Sequence, residues 1–333
     1  MNFRTIVELP TGLPPVSHHE RLMLMGSCFA GNIGERLTQA KFRVDVNPFG
    51  TLYNPLSVAK AIGETLDGKV YGAADLFAHQ GLWHSPMHHG CFSAATPEEA
   101  LRGINLRLRQ ATEELPMLDW LMLTFGTAYV YEGKASGEVV SNCHKLPERE
   151  FCRRLLSVEE IVENCVPLIE KLIRRAPGVR ILCTVSPIRH LRDGLHANQL
   201  SKATLLLAIE RLRAAYPSRL FYFPAYEIVL DELRDYRFTA DDMAHPSPVA
   251  VGYLWQRFGD TFFTPATRRL LAEIEEVEKA LAHKPFHPEG EAYQRFLEQI
   301  VLKIERLIEK YPYLDLQKEK QVCHTRLNLS QST

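Results

Sequence analysis

A chain of 333 residues, 46% hydrophobic and 24% charged, is long enough for one large α/β domain with an appendage, or for two modest domains. Its formal net charge of -1 gives no electrostatic reason to bind nucleic acid or an acidic membrane surface, and no apolar run approaches the roughly 20 residues of a membrane helix. Seven scattered cysteines without a C-x-x-C pair do not make a disulfide framework or a zinc ribbon, and an N-terminus lacking a basic-then-apolar signal pattern leads to a cytoplasmic expectation.

Taken in chain order, apolar strand-like runs alternate with amphipathic helix-like ones. Strands are expected at residues 22–25, 42–46, 120–125, 180–185 and 220–223. Helices are expected at 32–40, 55–65, 158–175 and 198–216, with another at 248–258 after the last strand. Continuous apolar strands separated by amphipathic helices predict a parallel sheet covered on both faces. Residues 66–118 interrupt the alternation as a long insertion, with His79, His84, His88 and His89 around Trp83 and then a helical stretch from Pro97 to about Glu114. From about Pro265 the pattern turns helical and charged, with Leu270, Leu271, Ile274 and Val277 along one face. A break at Lys284-Pro285-Phe286-His287-Pro288 precedes a helix at about 290–310, and the last dozen residues read as polar and frayed.

In a parallel sheet the loops after the strand C-termini form the ligand crevice. Polar motifs fall in that position four times: Ser27 after the first strand, Asn47-Pro48-Phe49-Gly50 after the second, Gly126-Thr127 after the third, and Ser186-Pro187-Ile188-Arg189-His190 after the fourth. Ser27 would sit beside a helix N-terminus, where free N–H groups favour developing negative charge, although Gly-Ser at such a turn also makes an ordinary N-cap. Further along, Asp241-Asp242-Met243-Ala244-His245-Pro246-Ser247 places an Asp three residues before a His. That Asp can fix the imidazole tautomer and stabilise the imidazolium. Ser27 as nucleophile, His245 as base and Asp242 as orienting carboxylate make a serine triad. Cys28 is a rival nucleophile, ranked below Ser27 because the residue after a nucleophile at such a turn normally points inward.

His84 and His88 have H-x-x-x-H spacing, but Trp83-His84-Ser85-Pro86-Met87-His88-His89-Gly90 contains Pro and ends in Gly, and no carboxylate or cysteine clearly completes a ligand set. No metal or other cofactor is assigned. Contact of His84, His88 and His89 with substrate or the catalytic loop is expected instead. Arg189 and His190 are placed to bind an anionic or sugar group.

The string Gly26-Ser27-Cys28-Phe29-Ala30 resembles the signature that names the GSCFA-domain proteins, members of the wider SGNH (GDSL-like) hydrolase superfamily. Three further stretches look like that family: Gly81-Leu82-Trp83-His84-Ser85 with His88-His89, Ser141-Asn142-Cys143-His144-Lys145, and residues 186–200 with their Ser201-Lys202-Ala203 continuation. The resemblance spans roughly residues 20 to 260. It implies an α/β fold, a three-layer α/β/α sandwich with a five-stranded parallel sheet in flavodoxin-like order, over residues 1–264 with 66–118 inserted. A C-terminal helical extension would occupy 265–333.

Carried over residue by residue, the resemblance makes Ser27, His245 and Asp242 the triad, and makes Gly50 the partner of the Ser27 N–H in an oxyanion hole. The superfamily's third block reads G-x-N-D, whereas this chain has Gly126-Thr127-Ala128-Tyr129, so the usual Asn donor is missing. Thr127 or Asn142 could replace it. Asn142 is favoured, because its polar neighbours His144 and Lys145, themselves expected to bind substrate, suggest an active-site loop. The implied activity is hydrolysis of a small acyl ester, such as an acetyl ester, possibly on a carbohydrate. Two alternatives stay open: an O-acyltransferase with the same triad, and a non-catalytic binding or scaffold protein that keeps the fold. The expected partner is a small-molecule or carbohydrate ester, not nucleic acid or a membrane, and the oligomeric state is not legible.

Overall fold

Three apolar runs pair at the centre of a sheet because both of their faces can be buried, and two less buried strands flank them at its edges. In the computed structural model, which describes residues 4–288 and 290–331, these are β1 (Arg21–Gly26), β2 (Arg43–Val46), β5 (Trp120–Phe125), β9 (Arg180–Val185) and β10 (Leu220–Tyr222). They form one parallel sheet in the order β10-β9-β5-β1-β2. Counting only these five strands, the order is 2-1-3-4-5, the flavodoxin-like order expected.

Alternate residues face opposite ways along each strand. Met23, Met25, Leu121, Leu123, Phe125, Ile181, Cys183 and Val185 enter one cluster with Val58 and Ile62 of α2 (Pro55–Asp67), Ile161 and Ile169 of α4 (Val158–Arg175), and Leu205 and Ile209 of α5 (Gly194–Ala215). Leu22, Leu24, Trp120 and Leu182, on the other face, are equally buried. So are Phe29, Ile33 and Leu37 of α1 (Cys28–Gln39) and Leu254 and Phe258 of α7 (Pro248–Phe262). Among the described residues no helix is long and apolar enough to cross a membrane.

Helix ends follow local chemistry. Asn54 caps α2 by accepting the Ser57 N–H, Pro55 opens it, and Gly68 closes it in the left-handed region at φ 61°. Ser157 and Glu160 make a reciprocal capping box on α4. α1 begins at Cys28 rather than at residue 32, because Ser27 is its cap; α5 begins at Gly194 rather than at 198.

The insertion is not merely a loop. It holds a hairpin, β3 (Phe77–His79) and β4 (Leu82–His84), turned through Gln80 and Gly81, both at positive φ, followed by α3 (Pro97–Glu114). A second sheet, unforeseen from the sequence, is built from β6 (Tyr129–Gly133), β7 (Val139–Val140) and β8 (Phe151–Leu155). A short turn, α6 (Ala225–Glu227), follows β10.

The chain divides into two compact units. The first takes residues 21–35 and 44–261 with the N-terminal segment through Leu13; the second takes 14–20, 36–43 and 262 onward. In the second, α8 (Pro265–Ala282), α9 (Glu291–Lys310) and α10 (Gln317–Gln331) bury Leu270, Ile274, Val277, Leu297, Ile304, Leu307, Leu316 and Cys323. The last dozen residues are therefore not frayed as expected: those up to 331 are helical, and Cys323 is fully buried. Lys41 adds an ion pair to Glu319 inside this unit.

Candidate active site

In 2-1-3-4-5 order the sheet's switch point lies between β1 and β5, and ligands bind outside the strand C-termini there. β1 ends on Gly26, at φ +140°, where a Cβ would lie 2.1 Å from the Thr124 carbonyl oxygen at the end of β5. Glycine is required for that approach. The next residue, Ser27, is 1% exposed. Its Oγ accepts the Phe29 N–H at 3.3 Å and its carbonyl accepts the Ala30 N–H at 2.8 Å, so the serine caps α1. Its own N–H donates to Thr124 O at 3.1 Å.

Cys28 is the half-exposed member of the pair, with its Sγ 3.9 Å from the Tyr53 hydroxyl. This reverses the expected order, in which the residue after Ser27 points inward. The cause is the cap: holding the Phe29 N–H turns the serine side chain toward the helix axis and leaves Cys28 on the rim. Burial, with Cys28 beside it, pushes the Tyr53 hydroxyl up to about 12.

Gly50 is at φ +77°, its N–H donates to Asn47 O at 2.7 Å, and a Cβ there would lie 2.2 Å from the His89 Cβ. Both backbone donors expected for the oxyanion hole, on Ser27 and Gly50, are thus engaged with carbonyls in this state. Thr127 is also engaged: its hydroxyl pairs with Ser201 Oγ at 3.1 Å and accepts the Tyr129 N–H. Asn142 is tied through Oδ1 to the His144 N–H at 2.9 Å. Its loop is fastened to the insertion by the Ser141 and Asn142 N–H groups, which donate to Pro86 O, and by His144 Nε2, which donates to Ser85 O.

His84, His88 and His144 come together as buried rings, each less than a tenth exposed. His84 Nδ1 pairs with Ser93 Oγ and its Nε2 donates to His79 O; His88 pairs with Ser85 Oγ and stacks on Phe49 at 4.6 Å. Burial drives the His88 imidazole down to about 3, so it is neutral. Both ring nitrogens of His84, Nδ1 of His88 and Nε2 of His144 thus meet protein oxygens, and His88 packs on Phe49 in the loop that carries Gly50. His89 covers Gly50 directly, and Lys145 is exposed.

Asp242 and His245 meet as the spacing predicts. His245 Nδ1 lies 2.5 Å from Asp242 Oδ2, while Asp242 Oδ1 accepts the Ala244 and His245 N–H groups, both at 2.9 Å. Those N–H bonds and the imidazole hold the Asp242 carboxyl down to about 2. The Arg189 N–H donates to Ala244 O at 3.2 Å and so ties this loop to the one after β9. Ser27 Oγ and His245 are not hydrogen-bonded to each other.

His190, which sequence reasoning grouped only with Arg189 as an anion or sugar binder, lies beside the serine. A Cβ on Gly126 would be 3.2 Å from His190 Nε2 and 3.4 Å from Ser27 Cβ. Burial first, then the charges of Lys202 and Arg153, push His190 down to about 4, and its ring is near enough to feel His245. Below it, fully buried Lys202 donates through Nζ to Gly126 O and Ser186 O, both at 2.7 Å. Asn198 Oδ1 accepts the His190 N–H at 3.0 Å. The signal was in the sequence: Asn198 and Lys202 lie four apart on α5, on the face turned to these loops.

The model of the GSCFA family matches residues 21–258, and that of the GSCFA domain protein C-terminal domain matches residues 274–329. No curated protein matches the chain. With most of its length under the first match, the chain belongs to the GSCFA family.

Proposed function

We propose that this protein is a serine-dependent acyl-ester hydrolase of the SGNH type. The observation that carries the reading is the preformed Asp242–His245 pair, whose loop is tied by Arg189 to the same end of the sheet that presents Ser27. His245 Nε2 takes the Ser27 hydroxyl proton as Oγ attacks the ester carbonyl carbon. The proton then passes to the departing alcohol, and water, deprotonated by the same imidazole, releases the acid from the acyl-enzyme. A second alcohol in place of water makes the same residues an O-acyltransferase. Asp242, held ionised, fixes Nδ1–H and stabilises the imidazolium.

Turnover on this reading needs two changes from the resting geometry. His245 must come within hydrogen-bond reach of Ser27 Oγ, and the Ser27 and Gly50 N–H groups must turn from Thr124 O and Asn47 O toward the oxyanion. Asn142, on the loop that Pro86 O fastens to the insertion, is the side-chain donor on this reading. The engaged donors favour a second reading, a binding protein that keeps the fold without turnover.

A fluorophosphonate probe separates the two. Specific labelling that disappears in Ser27→Ala and slows by about 10³-fold or more in His245→Ala is the expected result. Full labelling of Ser27→Ala, or labelling lost only in Cys28→Ala, sinks the serine mechanism. No labelling together with no hydrolysis of short-chain esters favours the binder.

A further inference from the structure

Ser27 is buried, but His245 lines an open cavity. This cavity, of about 350 Å³, runs from Arg189 and His245 across Gln199 and Tyr226 to Arg234 and Tyr236. Ser27 is not on its wall. In a serine acyl transfer the base protonates the departing alcohol, so the alcohol half of the substrate lies on the base's side and the acyl half on the nucleophile's. On the reading of the preceding section, on which this inference rests, the cavity is therefore the alcohol subsite.

Its charge is distinctive. Arg189 and Arg234 both line it, and neither guanidinium has a carboxylate partner among the described residues. The one acidic residue on the wall, Asp235, accepts the Arg237 N–H and lies 3.7 Å from the Arg237 guanidinium. Arg189 is held in place by its N–H on Ala244 O and by its guanidinium over the Tyr236 ring, at 5.6 Å. Tyr226 donates to Gln199 Oε1, which leaves the Gln199 amide nitrogen for a ligand, and Tyr236, 66% exposed, offers a flat face to a sugar ring.

We infer that this cavity takes an alcohol bearing an oxyanion group, a phosphate or a carboxylate on a sugar-like body, with Arg189 and Arg234 on the anion. Guanidinium groups bind both oxyanions through paired N–H bonds, and a charge-assisted contact is about twice as strong as a neutral one. Water-soluble neutral esters would leave both cations unpaired.

Isothermal titration of the full chain with inorganic phosphate, glucose 6-phosphate, glucuronate and glucose tests this without requiring turnover. The expected result is that glucose 6-phosphate or glucuronate binds at least tenfold more tightly than glucose. That preference falls at least fivefold in Arg189→Gln and in Arg234→Gln, with melting temperatures near wild type showing that the variants fold. Preference for the phosphorylated sugar alone, with inorganic phosphate competing, identifies a phosphate; preference for glucuronate alone identifies a carboxylate. Either supports the inference. Equal binding of all three sugars, or a preference that survives the double Arg variant, overturns it. The same titration on Ser27→Ala keeps the two readings apart. Anion preference without fluorophosphonate labelling removes the esterase and with it the alcohol role, leaving only an anion-binding cavity; labelling without anion preference removes the anion site and leaves the esterase.

Discussion

Gly26 sets the position of Ser27, and one methyl group is enough to show it. At Gly26 a Cβ would lie 2.1 Å from a backbone oxygen that has no rotamer to yield, at a φ of +140° that L side chains rarely adopt. Gly31, on the first turns of α1, is the control: a Cβ there meets nothing closer than Asn47 Nδ2 at 4.0 Å. Gly26→Ala is expected to lose more than about 3 kcal/mol, or to fail to fold, while Gly31→Ala is neutral or gains up to about 1 kcal/mol. Denaturant unfolding of the two variants reads the difference, and equal effects would refute the close approach of β1 to β5. The glycine and serine were legible in the sequence as a strand–helix turn. Which of Ser27 and Cys28 points inward was not, because it depends on the serine's capping bond to the Phe29 N–H. His190 was seen but not weighted, since its nearness to Ser27 passes through Gly126, 64 residues earlier in the chain.

At the scale of elements, the loops after β5 and β9 are fastened by α5 through one buried ammonium. Lys202→Met keeps the stem but removes the donor to Gly126 O and Ser186 O. Two opposing stability terms follow. Unpaired carbonyls cost about 1–3 kcal/mol each, whereas relief from burying a cation, whose pKa burial pushes down to about 7, offsets part of that loss. Position has no such compensation: the Gly126 turn beside Ser27 and His190 is released, and a misplacement on the order of 1 Å costs about 100-fold in rate. On the proposed serine mechanism, the expected outcome for Lys202→Met is thus an ester-hydrolysis kcat down about 100-fold with a change in unfolding free energy below about 3 kcal/mol. Retention of wild-type kcat would show that the ammonium does not position the turn. The sheet around these loops was legible because its central strands are continuous apolar runs, and α2 and α4 because they are amphipathic stretches; the caps at Asn54 and Ser157 fix where those helices start. The β6–β8 sheet was not. Its strands are short, and Tyr129 pairs with Leu155 across a 26-residue separation that no local pattern encodes. α10 was missed for a related reason: its polar sequence is held by Leu316 and Cys323 packing on α8 and α9.

At the scale of the whole molecule, buried imidazoles set the response to acid. His88 and His190 are driven by burial down to about 3 and about 4, and burial also lowers His144 in the first unit and His18 in the second. A folded-state pKa below the unfolded value near 6.5 means that the unfolded chain binds the proton first as pH falls. Each of these groups therefore contributes stability that is present above about pH 6.5 and is lost progressively toward the folded pKa. Asp242, held down to about 2, acts in the same direction below about pH 4. Glu227, raised by burial, works the other way, as one carboxyl against four imidazoles. At about 1.4 kcal/mol per pKa unit, His88 and His190 alone reach roughly 3 kcal/mol or more each, a large part of the 5–15 kcal/mol typical of a folded domain. Urea midpoints measured at pH 7, 6, 5 and 4.5 are expected to fall continuously below pH 6.5. His88→Gln, which keeps a polar partner for Ser85 and removes the titrating ring, should flatten that fall by close to one bound proton between pH 6 and 4.5. A midpoint independent of pH over this range would mean that the buried rings accept protons in place, and that the histidine stack under Gly50 is more open to water than its packing against Phe49 and Tyr71 allows.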